Sequence, residues 1–252
     1  MKNTVGKLLK KWRIQSRYSQ LNLALELDVS SKHISFMETG RSTPSKEMLL
    51  KICDFLLVPK GEINRALNIA GYAPIYAELS SSDRKLAPVF EAIDHMIQSH
   101  MPYPAIVLNQ CWDVVNTNDS AKKLLQNMGY SGHTNLIEAL ISDTPETSKI
   151  INWHETLVNV LTRLRQEISL LGSPKCLQEI ENKLSNYLLS ASYNYEPDVK
   201  EIVVSTKIKL NKKVLSFFSL MAQLGTVKDV TISEYKVELM FPADAATKKY
   251  YS

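Results

Sequence analysis

A chain of 252 residues with 44% apolar and 22% charged residues has the composition of a globular protein of one large or two ordinary domains, which excludes a disordered or fibrous class. No apolar run approaches the roughly 18 to 20 residues that span a bilayer, and "MKNTVGKLLKKWR" has basic residues but no apolar stretch ending in a cleavage site, so a cytoplasmic protein without a membrane span is expected. The net charge of +4 is unevenly held: residues 1–72 carry 12 Lys and Arg against 6 Asp and Glu, and residues 73–252 carry 18 against 20, so a polyanionic partner is expected for the front of the chain alone.

The front segment reads as five short helices. Val5, Leu8, Leu9 and Trp12 recur at helical spacing, and Ser19 stands where it caps a second helix carrying Leu23, Ala24 and Leu27. A third helix begins at Ser30, a fourth at Ser45 and a fifth near Pro59, before Gly71 and Pro74 end the block. The polar "IYAELSSSDRK" marks a boundary. From Leu86 to Ile97 the residues Val89, Phe90, Ile93, Met96 and Ile97 form one apolar helical face, with Pro88 confined to the first turn. "PAIVLNQCWDVVNTND" then changes to the period of a β-hairpin about Asn109 and Gln110, followed by a helix over about 119–128. Two longer helices, over 147–171 and 174–190, are separated by "LGSP". "EIVVSTKIKLNKKVLSFFSLMAQL" and "VTISEYKVELMF" supply three strands, in which Ile202, Val204, Thr206, Ile208 and Leu210 share one face and Val237, Leu239 and Phe241 another. The predicted fold class is α+β: an all-α domain over 1–75, a linker and connecting helix over 76–102, and over 103–252 an antiparallel sheet covered by helices.

Three cysteines, Cys53, Cys111 and Cys176, are odd in number, far apart and without CxxC spacing, so they read as buried or idle thiols rather than a disulfide framework or a zinc site. The histidines His33, His95, His100, His133 and His154 stand singly. No nucleophile elbow, Walker loop, Rossmann glycine set or HExxH helix occurs, so neither an enzyme nor a metal or cofactor site is expected.

The stretch "VSSKHISFMETGR", residues 29–41, carries the strongest functional signal. With Ser30 as N-cap, Val29 and Ile34 stand where they staple the helix start. Turning about 100° per residue places Ile34 and Met37 inward and Lys32, Phe36 and Thr39 outward, with Ser35 at their edge. "LDV" joins this helix to the preceding one at a sharp angle, and Ala24 lets the two approach closely. These are the signs of a helix-turn-helix, whose second helix fits a major groove about 12 Å wide. There, hydroxyls and an ammonium can meet base edges and a ring can lie against thymine methyl groups. The alternative is a solvated face from which Phe36 packs elsewhere on the protein.

"SQLNLALELDVSSKHISFMETGRSTPS" resembles the helix-turn-helix of the phage-repressor (XRE) family over roughly residues 5–70, through its S-Q, central alanine, V-S, I-S, E-x-G-R and P-S. The resemblance implies double-stranded DNA as partner, with Gln20 and Arg41 on phosphates and Ser31, Lys32, Ser35 and Phe36 toward bases; Thr39 joins them on the outward face. It also implies that Arg13 and Glu38 pair internally and tie the first helix to the third. One departure is Asp28, where the family has a glycine in a left-handed turn. A single such module buries little surface, so a homodimer on two half-sites is expected.

Further on, "YPAIVLNQCWDVVNTNDSAKKLL", "TNLIEAL", "INWHETLVNVLTRLRQEI" and "LQEIENKLSNY" resemble the MmyB-like ligand-binding domain, a PAS-like fold found behind such helix-turn-helix domains in bacterial transcription regulators, over roughly residues 100–240. That resemblance implies a small apolar ligand, with a fatty acid as the leading class. "NYLLSASYNYEPD" departs from it in lacking a tryptophan. A sheet with helices on one side can hold a long apolar molecule between its layers. Trp112, Val114, Leu136, Trp153, Leu157 and Leu161 are the wall candidates, with Asn116 and Arg163 or Arg165 as anchors for a polar head; such stripes are more often plain core than pocket. The expected function is a sequence-specific, ligand-controlled, DNA-binding transcription regulator. The rival reading is an antitoxin-like or assembly protein whose rear domain only dimerises or binds a protein partner.

Overall fold

The computed structural model describes residues 5–79, 83–170, 174–190, 204–223, 230–233 and 235–252. The described residues divide into two compact units: 5–78 with short segments at 167–170 and Val230, and the remainder.

The first unit holds α1 (Val5–Gln15), α2 (Gln20–Glu26), α3 (Ser31–Thr39), α4 (Lys46–Phe55) and α5 (Lys60–Ile69). Three of these helices start in the same way. The hydroxyls of Ser19, Ser30 and Ser45 accept from the backbone N–H of Asn22, His33 and Met48 at 3.0, 3.1 and 3.1 Å, satisfying donors that the first helical turn leaves unpaired. The apolar stripes meet in one core built on Leu9, Trp12, Ile34, Met37, Leu49 and Leu67. α3 ends at Gly40, whose φ of +76° suits a residue without Cβ and turns its N–H back to the carbonyls of Met37 and Phe36. α1 meets the end of α3 at Gly6, where an added Cβ would lie 2.2 Å from the Met37 carbonyl oxygen and 2.7 Å from that of Glu38. Those neighbours are backbone and cannot swing aside, so the absence of a side chain at Gly6 is what lets α3 seat on α1.

In the second unit a 3-10 turn (Arg84–Leu86) leads into α6 (Ala87–Ser99). There follow β1 (Ala105–Leu108), β2 (Val114–Thr117), α7 (Asp119–Met128), α8 (Leu136–Ile141), α9 (Trp153–Leu170) and α10 (Lys175–Ser190). The chain closes with β3 (Thr206–Leu210), β4 (Lys213–Gln223), the short α11 (Val230–Ser233), β5 (Lys236–Pro242) and α12 (Ala245–Tyr251). The five strands form one antiparallel sheet in the order β2-β1-β5-β4-β3, so β5 joins two hairpins. Register assigns the faces. Val107 pairs with Val237 and Ala105 with Leu239, and this set packs against Ile93 and Ile97 of α6. Alternation turns Ile106, Glu238 and Met240 to the other face, beneath α7, α8 and α9. Asn118 locks these layers, accepting from the N–H of Ala105 and Ala121 at 3.1 and 2.9 Å and donating to the carbonyls of Ile97 and Tyr103 at 3.0 and 2.8 Å. Its amide then has its full hydrogen-bonding complement, which is how a polar side chain at 0% exposure is accommodated.

Several expectations are corrected. Helices cover both faces of the sheet, not one, because β1 is apolar on both. The first long helix begins at Trp153 rather than near 147. Residues 149–151 instead run along the edge strand β3, with Ile151 N–H donating to Lys207 and Lys209 N–H to Lys149, each at 2.7 Å, so an open sheet edge overrides local helical preference. Met96 is exposed, while Val89 and Phe90 pack onto the core with Ile93 and Ile97. Ile202 and most of "NYLLSASYNYEPD" lie outside the described residues.

Candidate DNA interface and ligand cavity

α3 has two distinct flanks. Ile34 and Met37 are 2% and 1% exposed, whereas Ser31, Lys32, His33 and Thr39 face solvent and Ser35 and Phe36 are half-buried. The Phe36 ring is bracketed by cations: Lys32 Nζ lies 5.5 Å and the Arg41 guanidinium 5.4 Å from its centroid. An apolar ring flanked by two positive charges therefore forms the middle of this surface. Thr39 Oγ1 donates to the Ser35 carbonyl at 2.7 Å, which leaves that hydroxyl only lone pairs to offer outward. His33, set aside above as a lone histidine, is exposed beside Lys32.

The seat of α3 is ionic as well as apolar. Arg13 Nε donates to Glu38 Oε1 at 2.5 Å and Nη2 to Oε2 at 2.9 Å, while Nη1 reaches the Tyr18 carbonyl at 2.8 Å. Gln20 Nε2 donates to Glu38 Oε2 at 2.7 Å, so one of its amide protons is committed inward. Burial by itself would raise the Glu38 pKa, but hydrogen bonds from Arg13 and Gln20 outweigh it and hold the carboxyl below its ordinary value. The hydrogen bond to Glu38 raises that of Arg13. At the turn before α3, Asp28 adopts a φ of +54°, the left-handed conformation that glycine fills most readily.

Between the sheet and α7, α8 and α9 lies a cavity of about 400 Å³, a size typical of small-molecule sites. Its walls are largely apolar, with Ile106, Leu124, Met128, Leu140 and Phe217 among them. Exposed lining residues Thr162, Gln166, Val204 and Ser219 mark its opening. Trp112, 1% exposed, forms part of the wall from an unusual backbone position at φ +65°. The peptide groups on either side of its Cα are both held: Asn135 Nδ2 donates to the Cys111 carbonyl at 2.7 Å, and the Leu136 N–H to the carbonyl of Trp112 at 3.0 Å. The Arg163 guanidinium lies 5.2 Å from the Trp112 ring centroid.

Of the wall and anchor candidates, Trp112, Leu136 and Arg163 line the cavity. Six do not, and helix and strand phase explain most of the difference. On α9, Thr156, Asn159, Val160 and Arg163 recur every three or four residues and face the cavity. Leu157 and Leu161 stand a step round the helix with Leu164, in packed core. Trp153 is buried against Tyr187, ring centroids 5.2 Å apart, and Arg165 is exposed, donating to Glu181 at 2.9 Å and Ser185 at 3.1 Å. Asn116 pairs with Val107, so it shares the α6 face and donates to Asp94 at 2.6 Å; Val114 is half-buried at the sheet margin. The unforeseen wall residues include apolar ones on other elements, Ile106, Leu124, Met128, Leu140 and Phe217, and polar ones, Thr156, Asn159, Gln166 and Glu238, which apolar periodicity cannot mark.

Cys111 and Cys176 are corrected from idle thiols to a disulfide that joins the β1–β2 turn to α10 across 65 residues, Cα atoms 5.7 Å apart. Cys53 is buried, and burial pushes its thiol up to about 12, so it is inert. Among the described residues no group of three or more His, Cys, Asp or Glu is placed to hold a metal ion, and no helix is long and apolar enough to cross a membrane.

The family described as MmyB-like transcription regulator ligand binding domain matches residues 89–251, and the helix-turn-helix family matches residues 9–63. A search of curated proteins finds no match. The first match takes in the sheet, the cavity and the helices around it, and the second takes in α2, α3 and their ionic seat. The chain therefore belongs to the MmyB-like transcription regulators, DNA-binding proteins that carry a ligand-binding domain.

Proposed function

We propose that this regulator reads operator DNA as a homodimer through the outer flank of α3, and that a small hydrophobic molecule in the cavity changes its DNA affinity. The observation that carries the reading is the Phe36 ring held between Lys32 and Arg41 on a helix whose other flank is locked into the core. Arg41 holds a phosphate, and Ser31, Lys32, Ser35 and Phe36 meet base edges, with Thr39 beside them. Gln20 adds a phosphate contact through its remaining amide proton. Phosphate contacts position such a protein and base contacts choose its site. The ligand has an apolar body and one polar end, matching a cavity whose polar lining comes mostly from α9, with Glu238 of β5 facing it. A fatty acid, the class implied by the family resemblance, is one such molecule.

The DNA half of this reading is tested on an operator selected from random duplexes, with affinity measured against salt concentration. Arg41→Ala is expected to weaken binding to operator and random duplex alike and to flatten the slope of log K against log salt by about one unit. Phe36→Ala and Lys32→Ala are expected to lower the operator's advantage over single-base variants by about 1–3 kcal/mol while leaving binding to random duplex nearly unchanged. If all three variants lose affinity in parallel on every duplex, the division of roles is wrong. If none loses affinity, α3 is not the reading helix.

A further inference from the structure

We propose that the cavity takes an uncharged amphiphile whose polar end both accepts and donates hydrogen bonds, as a primary amide does, in preference to an ionised carboxylate. This rests on the reading of the cavity as a ligand site and settles which end group it selects. Most of the polar lining comes from α9. Thr156, Asn159 and Arg163 share a face of α9, and Glu238 projects from β5 opposite them. Arg163 Nη1 contacts Glu238 Oε1 at 3.3 Å, so the guanidinium already has a counter-ion and the pair brings no net charge to the cavity. The other nearby cation, Lys236, stacks with its Nζ 4.0 Å from the Trp112 ring centroid and is not part of the cavity lining.

The groups remaining are specific. Arg163 Nη2, Asn159 Nδ2 and Thr156 Oγ1 are buried from solvent and have no hydrogen-bond partner in the protein. Two are obligate donors and the third can donate or accept, so together they call for a ligand oxygen. Buried donors of this kind are costly to leave unpaired, which makes them strong selectors of any ligand that can satisfy them. A carbonyl oxygen answers them without bringing charge. A carboxylate also answers them, but it sets a second negative charge in a low-dielectric cavity beside Glu238, with one guanidinium shared between two anions. An amide N–H₂ reverses the sign of that contact by donating to the Glu238 carboxylate. A plain hydrocarbon leaves every one of these groups unanswered.

The test uses the 252-residue chain at pH 8 and the displacement of N-phenyl-1-naphthylamine, a neutral apolar fluorophore, by decanamide, decanoate, 1-decanol and decane. Decanamide is expected to displace the fluorophore at a concentration at least about tenfold below that of decanoate, with decanol between them and decane weakest. Glu238→Gln, which keeps the side chain's size and removes the competing charge, is expected to improve decanoate by about tenfold and to abolish the preference. Arg163→Met is expected to bring amide and alcohol down toward decane. Decanoate binding as well as or better than decanamide to the unaltered protein overturns the end-group assignment while leaving the cavity's role as a ligand site intact. If the fluorophore does not bind, or nothing in the series displaces it, the ligand-site reading falls and this inference with it.

Discussion

Replacing Arg13 by methionine should cost the first unit about 3–5 kcal/mol, because it leaves the Glu38 carboxylate buried without its cation. The Glu38 side chain is 3% exposed and takes two hydrogen bonds from Arg13 and one from Gln20, so removal of the guanidinium strands a charge that solvent cannot reach. Such a loss consumes much of the stability of a small domain. The double variant Arg13→Met, Glu38→Leu should recover most of it, since the penalty belongs to the stranded charge and not to the absence of the pair. Urea unfolding followed by circular dichroism separates the two: equal destabilisation of single and double variants would show that the pair acts by packing alone.

The same pair gives the first unit a defined acid sensitivity. Glu38 is held below its ordinary value of 4.5, so its contribution to stability is complete above pH 4.5 and is lost as pH falls through the lower folded value. Glu38→Gln should remove that component, leaving a shallower decline of stability below pH 4.5 than in the unaltered protein. A decline of equal steepness would assign the acid sensitivity to other carboxylates.

Reduction of the Cys111–Cys176 disulfide should destabilise the second unit by about 4 kcal/mol, the loop-closure value for a link across 65 residues. The link does more than close a loop. Cys111 immediately precedes Trp112, and Asn135 holds the intervening carbonyl, so the bond fastens the start of α10 to the turn that sets a cavity wall. Denaturant midpoints measured with and without a dithiol reductant should therefore differ strongly for the second unit and little for the first. Alkylation of the reduced native protein should reach Cys111 and Cys176, which are half-exposed, and spare the buried Cys53. A midpoint unmoved by reduction would mean that the reduced chain holds the same contacts without the bond.

Much of the architecture was legible because it rests on local rules. Ser19, Ser30 and Ser45 marked helix starts through the hydrogen bond that a serine makes to the first turn, and that bond does not depend on the rest of the fold. Period-two alternation likewise marks β5, and β-rich runs on both sides of Asn109 and Gln110 mark the β1–β2 hairpin. What escaped depends on distant partners. Residues 149–151 became a strand-like edge only because β3 offered unpaired backbone groups. The cysteine pairing joins positions 65 residues apart, and spacing carries no information on such connectivity. A lone glycine inside a helical pattern was the available sign of the α1–α3 contact at Gly6, and it is a weak one because many helical glycines face only solvent.

The cavity shows the limit most clearly. Apolar periodicity on α9 identifies the stripe that packs tightest, Leu157, Leu161 and Leu164, and that stripe is filled core. The cavity falls instead on the neighbouring mixed stripe of Thr156, Asn159 and Arg163, which sequence patterning scores as surface. Arg163 lines the cavity because it shares the phase of that mixed stripe; Glu238, which sets the charge around it, stands on the strand face opposite Val237 and Leu239, where apolar patterning marks nothing.

A ligand shifts DNA binding only if its affinities for the DNA-competent and incompetent states differ, so occupancy of the cavity alone is no proof of control. The decisive measurement is the dissociation constant of the 252-residue chain for its selected operator, taken with the cavity empty and again with it saturated by whichever ten-carbon probe binds more tightly. A ligand-controlled reader should change that constant by at least about fivefold, with the same factor appearing in the probe's affinity when operator is present. An operator affinity identical in the two conditions, with saturation verified in the same sample, would contradict ligand control and leave a DNA-binding protein whose second unit only assembles or recruits.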